Sequence, residues 1–290
     1  MVVPLFNSSM RSPQPRKQFA QHWLRSEKAL SKIVKSASLS PSDRILEIGP
    51  GTGILTTQLL SGATSVVAVE IDTDLCKNLV KRLGNKENFL LLQGDILTLD
   101  IATQLQNFPN FKNPNKVVAN IPYNITGPIV EQLLGTIGEP NPNPFQLIVL
   151  LVQKEVAQRI TAHAGSKTFG ALSVRVQYLA DCDYICDVPA KAFYPPPKVD
   201  SAVIRLRPRP IQHPASNPQY LETLLKLGFS SKRKMLRNNL QSVVSRDQLT
   251  QLLEQLEINP QVRAEDLSVE QWVNLSNCLW TELSVNDQQL

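Results

Sequence analysis

The sequence predicts an α/β fold, with a Rossmann-like, mostly parallel sheet followed by a small all-α domain at the C-terminal end. Three observations predict it. Arg44-Ile45-Leu46-Glu47-Ile48 is a short apolar run leading into Gly49-Pro50-Gly51-Thr52-Gly53 and then a helical pattern over 54–60, the opening of a nucleotide-binding α/β domain. Further short apolar runs alternate with helical patterns and end in polar residues, as buried parallel strands do at a ligand-binding edge. Beyond the Pro-, His- and Asn-rich stretch 208–218 only helical patterns remain.

In chain order, residues 1–15 are expected to be a disordered tail, 16–209 the main domain, 210–218 a linker and 219–290 the helical domain. Leu30, Ile33, Val34 and Ala37 share one face of a first helix, which Pro41-Ser42-Asp43 ends. After the glycine turn, a strand over 65–69 ends in Glu70. Asp72, the rival of Glu70 for a ligand contact at this strand end, is better placed to cap a helix over 73–83, which Gly84 stops. A strand over 89–92 ends in Gln93-Gly94-Asp95, and Lys116-Val117-Val118-Ala119 delivers Asn120-Ile121-Pro122-Tyr123 at its carboxyl end. A helix over 127–134, a strand over 146–152 and a helix over 154–160 follow, with Glu155 and Arg159 an i,i+4 surface pair. Strands over 184–188 and 199–206 flank Phe193-Tyr194-Pro195-Pro196-Pro197-Lys198, whose three prolines make a stiff extended loop. The C-terminal helical patterns cover 221–229, 235–244, 249–256 and 269–279.

Composition narrows the function classes. At 42% hydrophobic over 290 residues the chain can bury a core and is not compositionally disordered. Its longest apolar run, 147–152, is too short to span a bilayer, and no apolar signal stretch precedes Arg11, so a cytoplasmic protein is expected. Cys76, Cys182, Cys186 and Cys278, with three scattered histidines, lack metal-ligand spacing; reduced thiols and no metal are expected. The net charge of +5 is unevenly placed: the first 35 residues carry seven Lys or Arg against Glu27 alone, whereas from Asn238 onward two arginines face eight acids. A polyanion contacting one side of the molecule accounts for that asymmetry, as does a solvated surface.

The polar strand ends carry the chemistry. Gly49, Gly51 and Gly53 read G-x-G-x-G, tighter than the G-x-G-x-x-G of dinucleotide sites, with Glu47 two positions upstream. A glycine turn beside an acid suits a cofactor with a cationic end, such as S-adenosylmethionine, and Gly49 and Gly51 let the backbone approach it. Glu70, about twenty residues on, is placed to accept from ribose hydroxyls, and Asp95 from an adenine amino group, or to act as a turn aspartate. The Asn120 side-chain oxygen and a carbonyl left unpaired by Pro122 can accept from an –NH2 group, while Tyr123 offers a face for a base to stack on. Phe193, in its stiff loop, is a second candidate ring for an extruded base, with core packing the commoner fate of such a residue. Lys232, Arg233, Lys234 and Arg237 form a basic knot suited to nucleic-acid phosphates.

These segments resemble the small-subunit ribosomal RNA adenine dimethyltransferases over nearly the whole chain. Ala20-Gln21-His22-Trp23-Leu24 is similar to that family's G-Q-N-F-L, Glu47 to Gly53 to its cofactor turn, and Asn120-Ile121-Pro122-Tyr123 to its N-[IL]-P-[YF] motif. Leu151-Val152-Gln153-Lys154-Glu155-Val156-Ala157, Gly170-Ala171-Leu172-Ser173-Val174 and Phe193 to Ser201 match in the same order. The resemblance implies a class I S-adenosylmethionine-dependent methyltransferase with its catalytic domain at 16–209 and an RNA-binding helical domain after it. His22, Leu24, Gly49, Glu70, Asp95 and Asn120 would line the cofactor pocket, with Asn120, Tyr123 and Phe193 holding the target adenine. The reaction implied is transfer of two methyls to N6 of each of two adjacent adenosines near the 3′ end of small-subunit rRNA, on a subunit still being assembled; no heptad or interface stripe in the sequence argues against a monomer. His22 and Trp23 depart from the family's Asn and Phe. The carbonyl of Ile121 is the expected second acceptor. The rival readings are a large-subunit rRNA adenine methyltransferase of the macrolide-resistance type and an assembly factor whose binding matters more than catalysis. A DNA adenine methyltransferase is disfavoured by the terminal segments and a nicotinamide dehydrogenase by the glycine spacing.

Overall fold

The computed structural model of the chain describes residues 14–16, 19 and 21–287, with side chains through Glu282; nearly all of the expected 1–15 tail lies outside the described residues. The main unit runs β1 (Trp23–Leu24), α1 (Glu27–Ser36), β2 (Arg44–Ile48), α2 (Ile54–Gly62), β3 (Ser65–Glu70), α3 (Thr73–Leu83), β4 (Phe89–Gln93), α4 (Ile101–Gln104) and β5 (Lys116–Asn120). It continues through α5 (Thr126–Leu134), β6 (Leu147–Gln153), α6 (Lys154–Ile160), α7 (Ala171–Leu179), β7 (Ala180–Val188), β8 (Phe193–Tyr194) and β9 (Ser201–Pro208). The last four helices are α8 (Pro218–Gly228), α9 (Leu236–Asn239), α10 (Arg246–Gln255) and α11 (Val269–Asp287).

Seven strands form one sheet in the order β4-β3-β2-β5-β6-β9-β7. The five strands β4 to β6 are parallel, and β9 joins antiparallel to both β6 and β7. Chain order reverses at β2, which pairs with β3 on one side and β5 on the other. This switch point sets Gly49 beside Asn120, where ligands of such sheets bind. The apolar runs are buried because both sheet faces are covered. Ile45, Val118, Val149, Leu151 and Val203 pack with α1 and α2 on one face, and Leu46, Val117, Ile148, Leu150 and Ile204 with α5, α6 and α7 on the other. That second core runs without a break into the C-terminal helices, where Phe229 bridges Phe169 and Trp272, at centroid distances of 6.5 and 5.5 Å.

The opposite, amino end of the sheet is closed by a buried ion pair. Lys116 Nζ donates to Asp43 at 2.7 Å and to the carbonyls of Ala37 and Ser38 at 3.2 and 2.8 Å. Hydrogen bonds from Lys116 and Asn115 outweigh burial and hold the Asp43 carboxyl below its usual range.

Local chemistry explains most element ends. The Asp72 side chain accepts from Asp74 N at 2.9 Å and starts α3, which Gly84 caps. Two expectations are corrected, and one helix appears where the sequence carries no expectation. The helix over 235–244 is a single turn, because Asn239 turns its amide onto the carbonyls of Gly228 and Ser231 at 2.5 and 3.0 Å and the chain bends away. The segment 171–179 is a helix that shows no polar face, since Ser173, Val174, Val176, Tyr178 and Leu179 are all buried. Glu155 and Arg159 are both exposed and form no ion pair among the described residues.

Candidate active site

A cavity of about 290 Å³ opens at the carboxyl ends of β2 to β5, lined by His22, Leu24, Glu47, Gly49, Gly51, Glu70, Asp95, Asn120, Ile121, Pro122 and Tyr123 among others. The elements that deliver these side chains are the strand ends and the segment before α1, which crosses the mouth. β1 pairs antiparallel with β8, so the chain before α1 is fastened to the proline-rich loop. Gln21 donates to Asp72 at 3.0 Å, and the Arg16 guanidinium sits 3.6 Å from the same carboxylate and pairs with Asp74.

Gly49 and Gly51 take left-handed φ angles of 65 and 58°. A Cβ at Gly49 would meet the Asn120 carbonyl at 3.7 Å, and one at Gly51 the Trp23 ring at 3.4 Å. Both are ordinary contact distances, so it is the left-handed backbone that calls for glycine here.

Two buried acids stand behind the turn. Glu70 accepts from Gly51 N at 3.2 Å and from Asp72 N at 3.0 Å, and burial raises its carboxyl above the ordinary range. Glu47 is 1% exposed and its Oε2 has no hydrogen-bond partner among the described residues. Burial, with the Glu70 carboxylate adding to it, pushes its carboxyl up to about 8. A buried acid with an unsatisfied oxygen on the wall of a cavity is a ready partner for a cationic ligand group. Asp95 holds a turn by accepting from Leu97 N at 3.0 Å, and it also lines the cavity, so both readings of it are compatible. Ile71, 43% exposed beside Glu70, and Ile96 add an apolar wall.

At the other end, Asn120 Nδ2 donates to the His22 carbonyl at 3.3 Å. The turn after β5 bonds to the carbonyls of Pro122 and Tyr123, through Ile125 N at 3.4 Å and the Thr126 hydroxyl at 3.4 and 3.3 Å, which leaves the Ile121 carbonyl outside the turn's own bonding. The Tyr123 ring stacks on His22 with centroids 5.7 Å apart and planes 22° from parallel. His22 Nδ1 donates to the Pro195 carbonyl of the proline-rich loop at 2.7 Å, and the Tyr123 hydroxyl is hydrogen-bonded to that of Ser201 at the start of β9. Burial raises the Tyr123 phenol, so it remains a neutral hydroxyl.

Phe193 is the exception among the expected residues. It is 3% exposed and packs with Leu24 in the core beneath β1, outside the cavity lining. The ring found opposite Tyr123 is that of His22. Lys232, Arg233 and Lys234 lie far along the chain, exposed in the loop between α8 and α9 that Asn239 holds, and Arg237 lies within α9. Trp23, Ile71 and Ser201 were not legible as site residues. Trp23 carries a buried indole N–H without a partner among the described residues, and the pairing of β1 with β8 places it over Gly51. Among the described residues no group of three or more His, Cys, Asp or Glu could hold a metal ion, and no helix is long and apolar enough to cross a membrane.

A doubly covered, mostly parallel sheet with a G-x-G-x-G turn at its switch point and acids at the next two strand ends defines a class I S-adenosylmethionine-dependent methyltransferase. More narrowly, the chain belongs to the ribosomal RNA adenine dimethylase family, whose model matches residues 13–280. It is 72% identical, over 93% of its length and 99% of the relative's, to ribosomal RNA small subunit methyltransferase A of Trichormus variabilis. Among solved structures it is similar to a dimethyladenosine transferase from Plasmodium falciparum, with a TM-score of 0.73 and 27% identity over 93% of this chain and 99% of that one. It is also similar to the 23S rRNA methyltransferase ErmE, with a TM-score of 0.67 and 28% identity over 89% and 99%.

Proposed function

We propose that the protein uses S-adenosylmethionine to dimethylate the exocyclic N6 of two adjacent adenosines near the 3′ end of small-subunit rRNA, acting as a cytoplasmic monomer on subunits that are not yet mature. The observation that carries the reading is the Asn120 amide. Its nitrogen is committed to the His22 carbonyl, so its oxygen is the atom left for an incoming amine.

In this reading Glu47, Glu70, Asp95, His22, Leu24 and the Gly49–Gly51 turn hold the cofactor, whose cationic end suits the unpartnered Glu47 oxygen. Once bound, the cofactor supplies an electrophilic methyl group on a sulfonium. Asn120 Oδ1 and the Ile121 carbonyl accept the two amine hydrogens, which pulls the nitrogen lone pair out of conjugation and aims it. Tyr123 stacks the base, and Pro122 fixes the turn that holds both acceptors. Catalysis then rests on orientation and on preorganised acceptors. The chain divides into a catalytic unit at 16–209, a linker at 210–218 and an RNA-binding unit from 219, in which Lys232, Arg233, Lys234 and Arg237 contact phosphates.

The 72% identity to a small-subunit enzyme, against 28% to a large-subunit one, favours the small subunit. Radiolabelled methyl transfer to purified small and large subunits lacking adenine dimethylation tests this. Label in small-subunit rRNA alone is expected. Label in large-subunit rRNA, or in neither, would overturn it.

A further inference from the structure

The charge asymmetry of the N-terminal region is not used by the cavity or by the 232–237 cluster. Its described part has a definite geometry. Lys28, Lys32 and Lys35 lie at i, i+4 and i+7 on α1 and are all exposed, forming one stripe about 10 Å long on the side facing away from the sheet. None has an acid at i±3 or i±4, and none forms an ion pair among the described residues. Glu27 in the first turn and Lys35 in the last suit the helix dipole, but the rest of the stripe works against the helix. Lys28 stands in the first turn, where the helix dipole opposes a cation, and both neighbouring lysine pairs repel.

The stripe leads toward the cavity mouth. Arg25, two residues before α1, holds its guanidinium 4.1 Å above the centre of the Tyr194 ring, and its backbone N donates to the Ala192 carbonyl at 2.7 Å. Tyr194 is 40% exposed and directly precedes Pro195, whose carbonyl holds His22. Lys191 and Lys198 are exposed on the same loop. Of the nearby acids, Asp187 is engaged by Lys154 at 3.0 Å and by Tyr184, and Asp200 by Ala190 N at 2.9 Å, while Glu27 beside Lys28 is exposed and is the one acid on α1. By contrast, the exposed face of α3 mixes signs, with Lys77 4.0 Å from Asp74.

We propose that Arg25, Lys28, Lys32 and Lys35 form a second RNA-contact surface, which grips the phosphates of the strand flanking the target adenosines and feeds that strand to the His22–Tyr123 rings. The proposal rests on the rRNA reading above. A stripe of this length matches about three phosphates at ~3.4 Å of stacked strand per nucleotide. An anion along it would relieve the repulsion, and the exposed Tyr194 face beside Arg25 offers stacking at the point where the strand leaves the phosphate track.

The test is a salt series of binding to purified small subunits lacking adenine dimethylation, with K28Q/K32Q/K35Q, a charge-keeping K28R/K32R/K35R variant, and K77Q/K81Q/K86Q as a surface control. The glutamine stripe variant is expected to bind at least about tenfold more weakly near 0.1 M salt, with a log–log salt slope shallower by about 2. The arginine variant and the control are expected to match wild type, and all four proteins to bind S-adenosylmethionine equally. Wild-type affinity and slope in the glutamine variant would overturn the proposal, as would an equal loss in the control or in the arginine variant. Failure of the rRNA reading is separate, since it shows in the wild-type protein as absence of dimethyladenosine from small-subunit rRNA.

Discussion

The Asn120 side-chain nitrogen donates to the backbone carbonyl of His22 at 3.3 Å, so the segment that crosses the cofactor cavity also sets the orientation of the amide at the end of β5. An aspartate at 120 would keep an acceptor but lose the donor and face the His22 carbonyl with a second oxygen. Asn120→Asp is therefore expected to lower the methyl-transfer rate by about 10²-fold or more, with cofactor affinity changed much less. A rate within threefold of wild type would show that this hydrogen bond does not set the geometry.

Ser201 is wholly buried at the start of β9 and bonds the Tyr123 hydroxyl, which joins the turn after β5 to the strand that follows the proline-rich loop. Tyr123→Phe and Ser201→Ala each remove this one bond while leaving the ring in place. Each is expected to slow turnover by about threefold to thirtyfold, and the double variant to be no worse than the poorer single one. Additive losses would mean that the two side chains act separately.

Glu47 gives the cofactor-free protein a distinct pH dependence. A carboxyl raised to about 8 in the folded chain keeps a proton that the unfolded chain has released above its ordinary value near 4.5. Stability therefore falls as pH rises between those values and levels off above about 8, a loss on the order of 2–4 kcal/mol. A cationic ligand that needs the carboxylate would bind more tightly as pH rises from 6 to 8. Glu47→Gln is expected to flatten the stability profile and to weaken cofactor binding. Chemical denaturation and calorimetric titration across this range check both, and a flat wild-type profile contradicts the assignment.

Gly228 ends α8 against the fully buried Trp272, where an added Cβ would lie 2.5 Å from the indole and 3.3 Å from Leu236. Gly228→Ala is expected to cost about 1–3 kcal/mol through overpacking. Thermal unfolding of the variant reads this directly.

Where sequence and structure agree, the reason is local. α3 begins at Thr73 because Asp72 caps it, and β5 ends at Asn120 because Pro122 cannot continue the ladder. The strand-end acids were legible because each closes an apolar run. The helix at 171–179 was not legible, since a helix buried on nearly all sides shows no amphipathic period. Phe193 was read from its stiff loop, whereas pairing of its strand with β1 turns it into the core, a tertiary contact that no spacing reveals. The same pairing places His22 against Tyr123 and Trp23 over Gly51, and it joins residues about 170 positions apart in the chain.

The most direct test of the central claim is single-turnover methyl transfer by Asn120→Ala on small subunits lacking adenine dimethylation, with cofactor and subunit affinities measured on the same preparation. Loss of the two-acceptor geometry predicts a rate at least about 10²- to 10³-fold below wild type, while subunit binding stays within a few fold. Dimethyladenosine formed at the wild-type rate by that variant would contradict the account.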